Sequence, residues 1–210
     1  MDEFMQNLID EGHLKTESII QAFRKIHRED FLPAEMRSQA GEDHPLPIGL
    51  GQTISQPLTV AFMLELLQPK MGEMILDLGS GSGWQTALLC ELVGREGHIV
   101  AIERIPPLSE FGKKNVSAYG YKNAVFITGD GTRGYKPMAP YDKIIVAAAA
   151  EIGVPDILLQ QLKVNGRLVI PVGKYEQDMV VMDKVGLNEF HEARYPGFQF
   201  VPLVPKVWGE

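Results

Sequence analysis

The sequence predicts one α/β domain: a doubly wound, mostly parallel sheet with an N-terminal helical extension and antiparallel edge strands at its C-terminal end. Three observations carry that expectation. Short, almost continuously apolar runs recur between residues 74 and 171, the pattern of strands buried on both faces. Helical patterns separate them, which is the alternation that builds βαβ units. The chain has 210 residues, enough for one domain of this kind and too few for two ordinary ones.

Taken in order, residues 1–33 read as two helices. In Glu17 to Ile26, the residues Ile19, Ile20, Phe23 and Ile26 share one face, and Thr16 is placed as an N-cap. Phe31-Leu32-Pro33 closes that unit. A loop rich in Pro and Gly runs from Gly41 to Pro57, and loops of this length in small domains are functional or disordered. Its apolar content argues against disorder. A helix is expected over Leu58–Leu67. Strands follow at Met74–Leu78, His98–Glu103, Ala124–Thr128, Lys143–Val146 and Arg167–Pro171. Between them lie helical patterns at Trp84–Val93, Leu108–Tyr119 and Asp156–Leu162. Asp178–Val185 and Phe198–Val204 read as two strands with no helix between them, hence the antiparallel edge. The single domain 1–210 thus divides into an extension with its loop (1–57), a parallel core (58–175) and C-terminal strands (176–210).

Bulk properties exclude several classes. The chain is 45% hydrophobic and 22% charged, an ordinary globular balance. A net charge of −7 argues against nucleic acid as a partner, because phosphate binding needs clustered Lys and Arg. Met1-Asp2-Glu3-Phe4 lacks the basic start of a signal peptide, and the longest apolar stretch, Ile144 to Ala150, is too short to cross a bilayer. One cysteine, Cys90, precludes an internal disulfide and suits a reducing compartment. A cytoplasmic protein without membrane partners is expected. His13, His27, His44, His98 and His191 show no ligand spacing, so no metal is expected.

The chemistry gathers at strand ends. Asp77-Leu78-Gly79-Ser80-Gly81-Ser82-Gly83 joins the first core strand to its helix, where glycines permit a tight turn and the helix start offers free amides. Such a turn alone is weak, since dinucleotide enzymes use one too, but with the spacing Gly-x-Gly-x-x-Gly. The next strand ends in Glu103, about 20 residues on, where a carboxylate can bind a ribose. Gly129-Asp130-Gly131 follows the third strand. Asp77, Glu103 and Asp130 then form an acidic rim suited to an adenosine carrying positive charge, as S-adenosylmethionine does, better than to a pyrophosphate. Each has a bland alternative: Asp130 as a turn residue, Glu103 as a solvated strand end. Cys90 reads as packing and Arg133 as solvated surface. Trp84 either packs on a ligand or fills the start of its helix.

These segments resemble the protein-L-isoaspartate O-methyltransferase family over nearly the whole length. The most specific is Leu46-Pro47-Ile48-Gly49-Leu50-Gly51-Gln52-Thr53-Ile54-Ser55-Gln56-Pro57. Leu76 to Trp84, Ile102 to Pro106, Gly129-Asp130-Gly131 and Gly166 to Gly173 support it. The resemblance implies a Rossmann-like methyltransferase fold. It implies S-adenosylmethionine as donor, S-adenosylhomocysteine as product, and isoaspartyl (also D-aspartyl) residues of damaged proteins as acceptors, handled by a monomer. It places the active-site serine on Ser55. It places cofactor contacts on Gln52, Thr53, Ile54, Asp77, Gly79, Ser80, Gly81, Glu103, Arg104, Asp130, Gly131 and Thr132. Residues 1–57 become the helical extension and substrate loop, and 58–175 the cofactor-binding core. The sequence departs from the family's commonest pattern at Leu50, Trp84, Ala147 and Ala150 to Pro155, near the rim of the site.

A carboxylate acceptor is ionised at neutral pH, with a free pKa near ~4, so no general base is required. Alignment and desolvation remain for the protein to supply. Ser55 either orients the acceptor or caps the helix after Pro57. Alternatives are a methyltransferase with another acceptor, a dehydrogenase, or a non-catalytic binding member of the family.

Overall fold

The computed structural model describes residues 2–205; Met1 and positions 206–210, the last five of the expected C-terminal part, lie outside it. The chain opens with α1 (Asp2–Asp10) and α2 (Glu17–Lys25), then two short 3-10 helices, then a hairpin of β1 (Leu46–Gly49) and β2 (Gln52–Ile54). Next come α3 (Pro57–Leu67), β3 (Met74–Leu78), α4 (Trp84–Val93), β4 (His98–Glu103), α5 (Pro106–Ala118) and β5 (Ala124–Thr128). β6 (Tyr141–Val146), α6 (Asp156–Gln160), β7 (Leu162–Val172), β8 (Gln177–Lys184) and β9 (Phe190–Phe198) complete it.

The seven-stranded sheet has the order β5-β4-β3-β6-β7-β8-β9. β5 through β7 pair in parallel and β8 and β9 are antiparallel, as the sequence predicts. Alternation along each strand splits the core in two. Ile75, Ile99, Ile145 and Val169 pack on the side of α2 to α5, whereas Leu76, Val100, Ile144 and Leu168 face α6. α4 is buried almost throughout, so its sequence shows apolar residues on every side. It carries Cys90, whose thiol is raised in pKa by burial first and by Asp77 and Glu91 second. Among the described residues, no helix is long and apolar enough to cross a membrane.

The structure corrects four local expectations. The Gly41–Pro57 loop contains a hairpin, with Leu46 paired to Ile54 and a left-handed tip at Leu50 (φ 53°). Thr16 does not cap α2 with its side chain; its hydroxyl donates instead to Glu65 (2.7 Å). β7 begins at Leu162, which shortens the expected helix before it. The last strand is Phe190–Phe198 rather than Phe198–Val204. Beyond Phe198, which follows Gly197 (φ 97°), the chain leaves the sheet and crosses the ends of the strands, held by a short bridge between Pro202 and Ala149. Phe200 and Leu203 produced the strand-like signal because they are partly buried on the two cores, not because they pair in the sheet.

Candidate active site

The chain passes from β3 out to β4 and β5, then returns to β6 on the other side of β3. Open α/β sheets bind ligands above the carboxyl ends of strands at such a switch point. Here three cavities meet, and Thr53 and Ala147 border all of them. The first lies between Gly79, Gly81, Glu103, Arg104 and Gly131, under Gln52 and the Val201–Val204 segment. The second lies beneath Trp84 among Ile54, Ser55, Ser80 and Ser82. The third is a groove of about 730 Å³ edged by Ser55, Phe62, Phe198 and Phe200.

The glycine turn is fixed from several directions. Gly79 and Ser80 donate their amides to the Ile102 carbonyl at 2.8 and 3.1 Å, tying the turn to β4. Gly79, Gly81 and Gly83 all have positive φ, a region costly for residues with a Cβ. Glu103 accepts the Gly81 amide (3.0 Å) and the Ile105 amide (2.9 Å). Burial raises its pKa, and those amides oppose the rise. Its carboxylate thus both braces the turn and lines the first cavity. Ser80 adds a buried hydroxyl with no hydrogen-bond partner among the described residues.

Sequence reasoning gathered most of these residues but erred on direction for some. Asp77 is fully buried and lines none of the three cavities. It accepts from Gln85 (2.8 Å) and Thr86 (2.6 Å), so it holds the first turn of α4 from beneath. Asp130 accepts from the amide and hydroxyl of Thr132 at 2.9 and 2.6 Å, and Gly131 alone of that trio borders the first cavity. The alternative N-cap role of Ser55 is not found. Asp43 takes it, accepting the Leu58 amide at 3.0 Å, and Ser55 makes no side-chain hydrogen bond to described residues. Arg133 is solvated, as expected, at 82% side-chain exposure. Trp84 is buried edge-on against Phe23. Among the departures from the family pattern, Ala147 borders all three of these cavities, whereas Leu50 and Ile152 face solvent.

Three contributions escaped the sequence reading. Val201 to Val204 roof the first cavity from the far end of the chain. Arg28 and Asp43 converge on the Ser55 loop. Gly112 brings α5 against the turn, so closely that a Cβ there would lie 2.7 Å from the Gly81 carbonyl oxygen. That last feature had a signal: a lone glycine in Glu110-Phe111-Gly112-Lys113 weakens a helix and asks for a packing reason.

Asp77 gives a pH-dependent prediction. Burial is the largest influence on it and lifts its pKa from 3.8 to about 6, against the two hydrogen bonds. The folded state therefore holds this proton more tightly than the unfolded chain. The resulting stabilisation is complete below the ordinary carboxylate value and is lost as pH rises through about 6. At pH 7.5 the buried charge is unfavourable by about 1–3 kcal/mol. Asp77→Asn is expected to melt higher than the parent at pH 7.5, with the advantage shrinking at pH 4.5. Equal offsets at both values in thermal melts would refute a charge effect.

A family model described as protein-L-isoaspartate(D-aspartate) O-methyltransferase matches residues 1–207. A protein-L-isoaspartate O-methyltransferase of Ignicoccus hospitalis is 52% identical over 170 residues, covering 81% of this chain and 80% of that one. An enzyme of the same name from Archaeoglobus fulgidus is 46% identical over 201 residues, covering 96% and 91%. A solved protein-L-isoaspartate O-methyltransferase superposes with a TM-score of 0.87 at 27% identity, covering 98% of this chain and 66% of its own. A Plasmodium falciparum protein assigned to that activity, solved with S-adenosyl-L-homocysteine, shares the fold at TM-score 0.85 and 24% identity, covering 96% and 97%. By this match over almost its full length, the chain belongs to the protein-L-isoaspartate(D-aspartate) O-methyltransferase family.

Proposed function

We propose that this protein transfers a methyl group from S-adenosylmethionine to the side-chain carboxylate of isoaspartyl residues in damaged proteins. One observation carries the reading. A cleft built by the glycine turn and Glu103 opens, past Thr53 and Ala147, onto a groove edged by Ser55, whose side chain makes no hydrogen bond among the described residues. Donor and acceptor sites with a common border are what a direct transfer requires.

The residues present fit the donor. Gly79 and Gly81 leave open the space that side chains would take, and the buried Ser80 hydroxyl awaits a partner. Glu103 offers a carboxylate to ribose hydroxyls and sets a negative field near a sulfonium. When bound, S-adenosylmethionine supplies a methyl group on positively charged sulfur, leaving S-adenosylhomocysteine. Gln52, Thr53, Ile54, Arg104, Gly131 and the Asp130–Thr132 turn complete the surround, while Asp77 supports it from below. Ser55 donates a hydrogen bond that orients the acceptor carboxylate, which is already ionised and needs no base. Phe62, Phe198 and Phe200 flank the groove and limit water around it.

The enzyme acts as a monomer, as the family resemblance implies. A single buried cysteine and the net charge of −7 support a cytoplasmic location without nucleic-acid partners. Paired peptides test the substrate, one with isoaspartate and one with aspartate at the same position. Because the isomers share charge and composition, methyl transfer is expected only to the first. Equal transfer to both, or to neither, would sink the assignment.

A further inference from the structure

Arg28 stands apart from the machinery above yet reaches it. Its side chain is fully buried, with 0% exposure. One guanidinium nitrogen donates to the carbonyls of Ala40 (3.2 Å) and Glu42 (3.0 Å), the other to those of His44 (2.8 Å) and Ser55 (3.0 Å). Trp84, which walls the second cavity, lies 5.7 Å from it. Burial lowers its pKa to about 10, with Asp43 and Glu42 pulling the other way, so it stays charged at neutral pH.

The segment gathered by Arg28 also grips the loop from the other side. Asp43 accepts the Leu58 amide (3.0 Å) and the Gln56 side-chain amide (2.9 Å). Ser55 thus has its carbonyl held by Arg28, while Asp43 holds the residue after it and the helix start beyond. Its hydroxyl alone is left free of side-chain bonds within the described residues. A planar fork with two nitrogens can hold four carbonyls at fixed directions, which a lysine ammonium with three donors cannot do.

We infer that Arg28, acting with Asp43, is a positioning residue for methyl transfer: it fixes the backbone of Ser55 so that the hydroxyl meets the acceptor carboxylate. This rests on the isoaspartyl reading above. Misplacement of an orienting group by about 1 Å costs up to about 100-fold in rate.

The test compares the parent with Arg28→Lys and Asp43→Asn. Active sites are counted by calorimetric titration with S-adenosylhomocysteine, well below each melting temperature. Per titrated site, Arg28→Lys is expected to lower kcat for an isoaspartyl peptide by about 10- to 100-fold. Its S-adenosylhomocysteine affinity should stay within about threefold, because its contacts bypass the glycine turn and Glu103. Asp43→Asn should act in the same direction, by roughly three- to tenfold. A purely structural role predicts fewer titratable sites with parental kcat at each, and that result overturns the inference. Should Arg28→Lys fail to fold, Asp43→Asn decides alone: parental kcat per site refutes it, a reduced one supports it. A parent silent on isoaspartyl peptide overturns the functional reading and this inference together. Variants equal to an active parent overturn the inference only.

Discussion

Ser55→Ala is expected to lower methyl transfer to an isoaspartyl peptide by roughly 10- to 100-fold, because a misaligned acceptor forfeits part of the proximity advantage. Donor affinity should stay within about threefold, since the turn, Glu103 and the Val201–Val204 roof are untouched. The structure sharpens the control. Asp43 rather than Ser55 satisfies the start of α3, so the substitution removes no cap and the melting temperature should barely move. A variant as stable as the parent and equally fast would remove Ser55 from the acceptor site. A stability loss of about 1 kcal/mol, the scale of a lost cap, would instead return it to the capping role.

Gly112→Ala acts on the other side of the site. Its new Cβ would lie 2.7 Å from the Gly81 carbonyl oxygen, 3.2 Å from the Gly83 amide and 3.3 Å from Phe126. Two of these atoms are backbone and cannot swing aside, so either α5 or the glycine turn must shift. Alanine gains up to about 1 kcal/mol in helix propensity, whereas overpacking costs about 1–3 kcal/mol. The steric term wins. We expect a lower melting temperature and at least a tenfold loss of S-adenosylhomocysteine affinity by calorimetry, roughly 1.4 kcal/mol. Gly153→Ala, in open space, should change neither. Parental affinity in Gly112→Ala would mean that α5 does not set the turn.

The parallel half of the fold was legible because its strands are buried on both faces. Met74–Leu78, His98–Glu103 and Ala124–Thr128, like the helix Trp84–Val93, occupy the predicted residues. The C-terminal end was misread because apolar residues that roof a site look the same in sequence as residues that fill a strand. The acidic rim was legible as position but not as direction. Asp77 shares the parity of Ile75, so it turns toward α4, and that side could not be known before α4 had been placed. The hairpin from Leu46 to Ile54 was seen as a functional loop, yet its pairing depends on a left-handed Leu50 that no propensity favours. Arg28 carried no motif at all. Its role arises from four carbonyls that only the folded chain assembles.

Cys90, buried at 1% exposure in the helix that follows the glycine turn, is the chain's sole thiol. Burial disfavours the thiolate, the form that reacts with oxidants and alkylating agents. Oxidants and electrophiles therefore meet a sulfur that is both hidden and protonated. The same arrangement makes this atom an intrinsic clock for local opening around the end of α4: a disulfide reagent reacts only as the buried sulfur becomes exposed, and its labelling rate reports how often that happens.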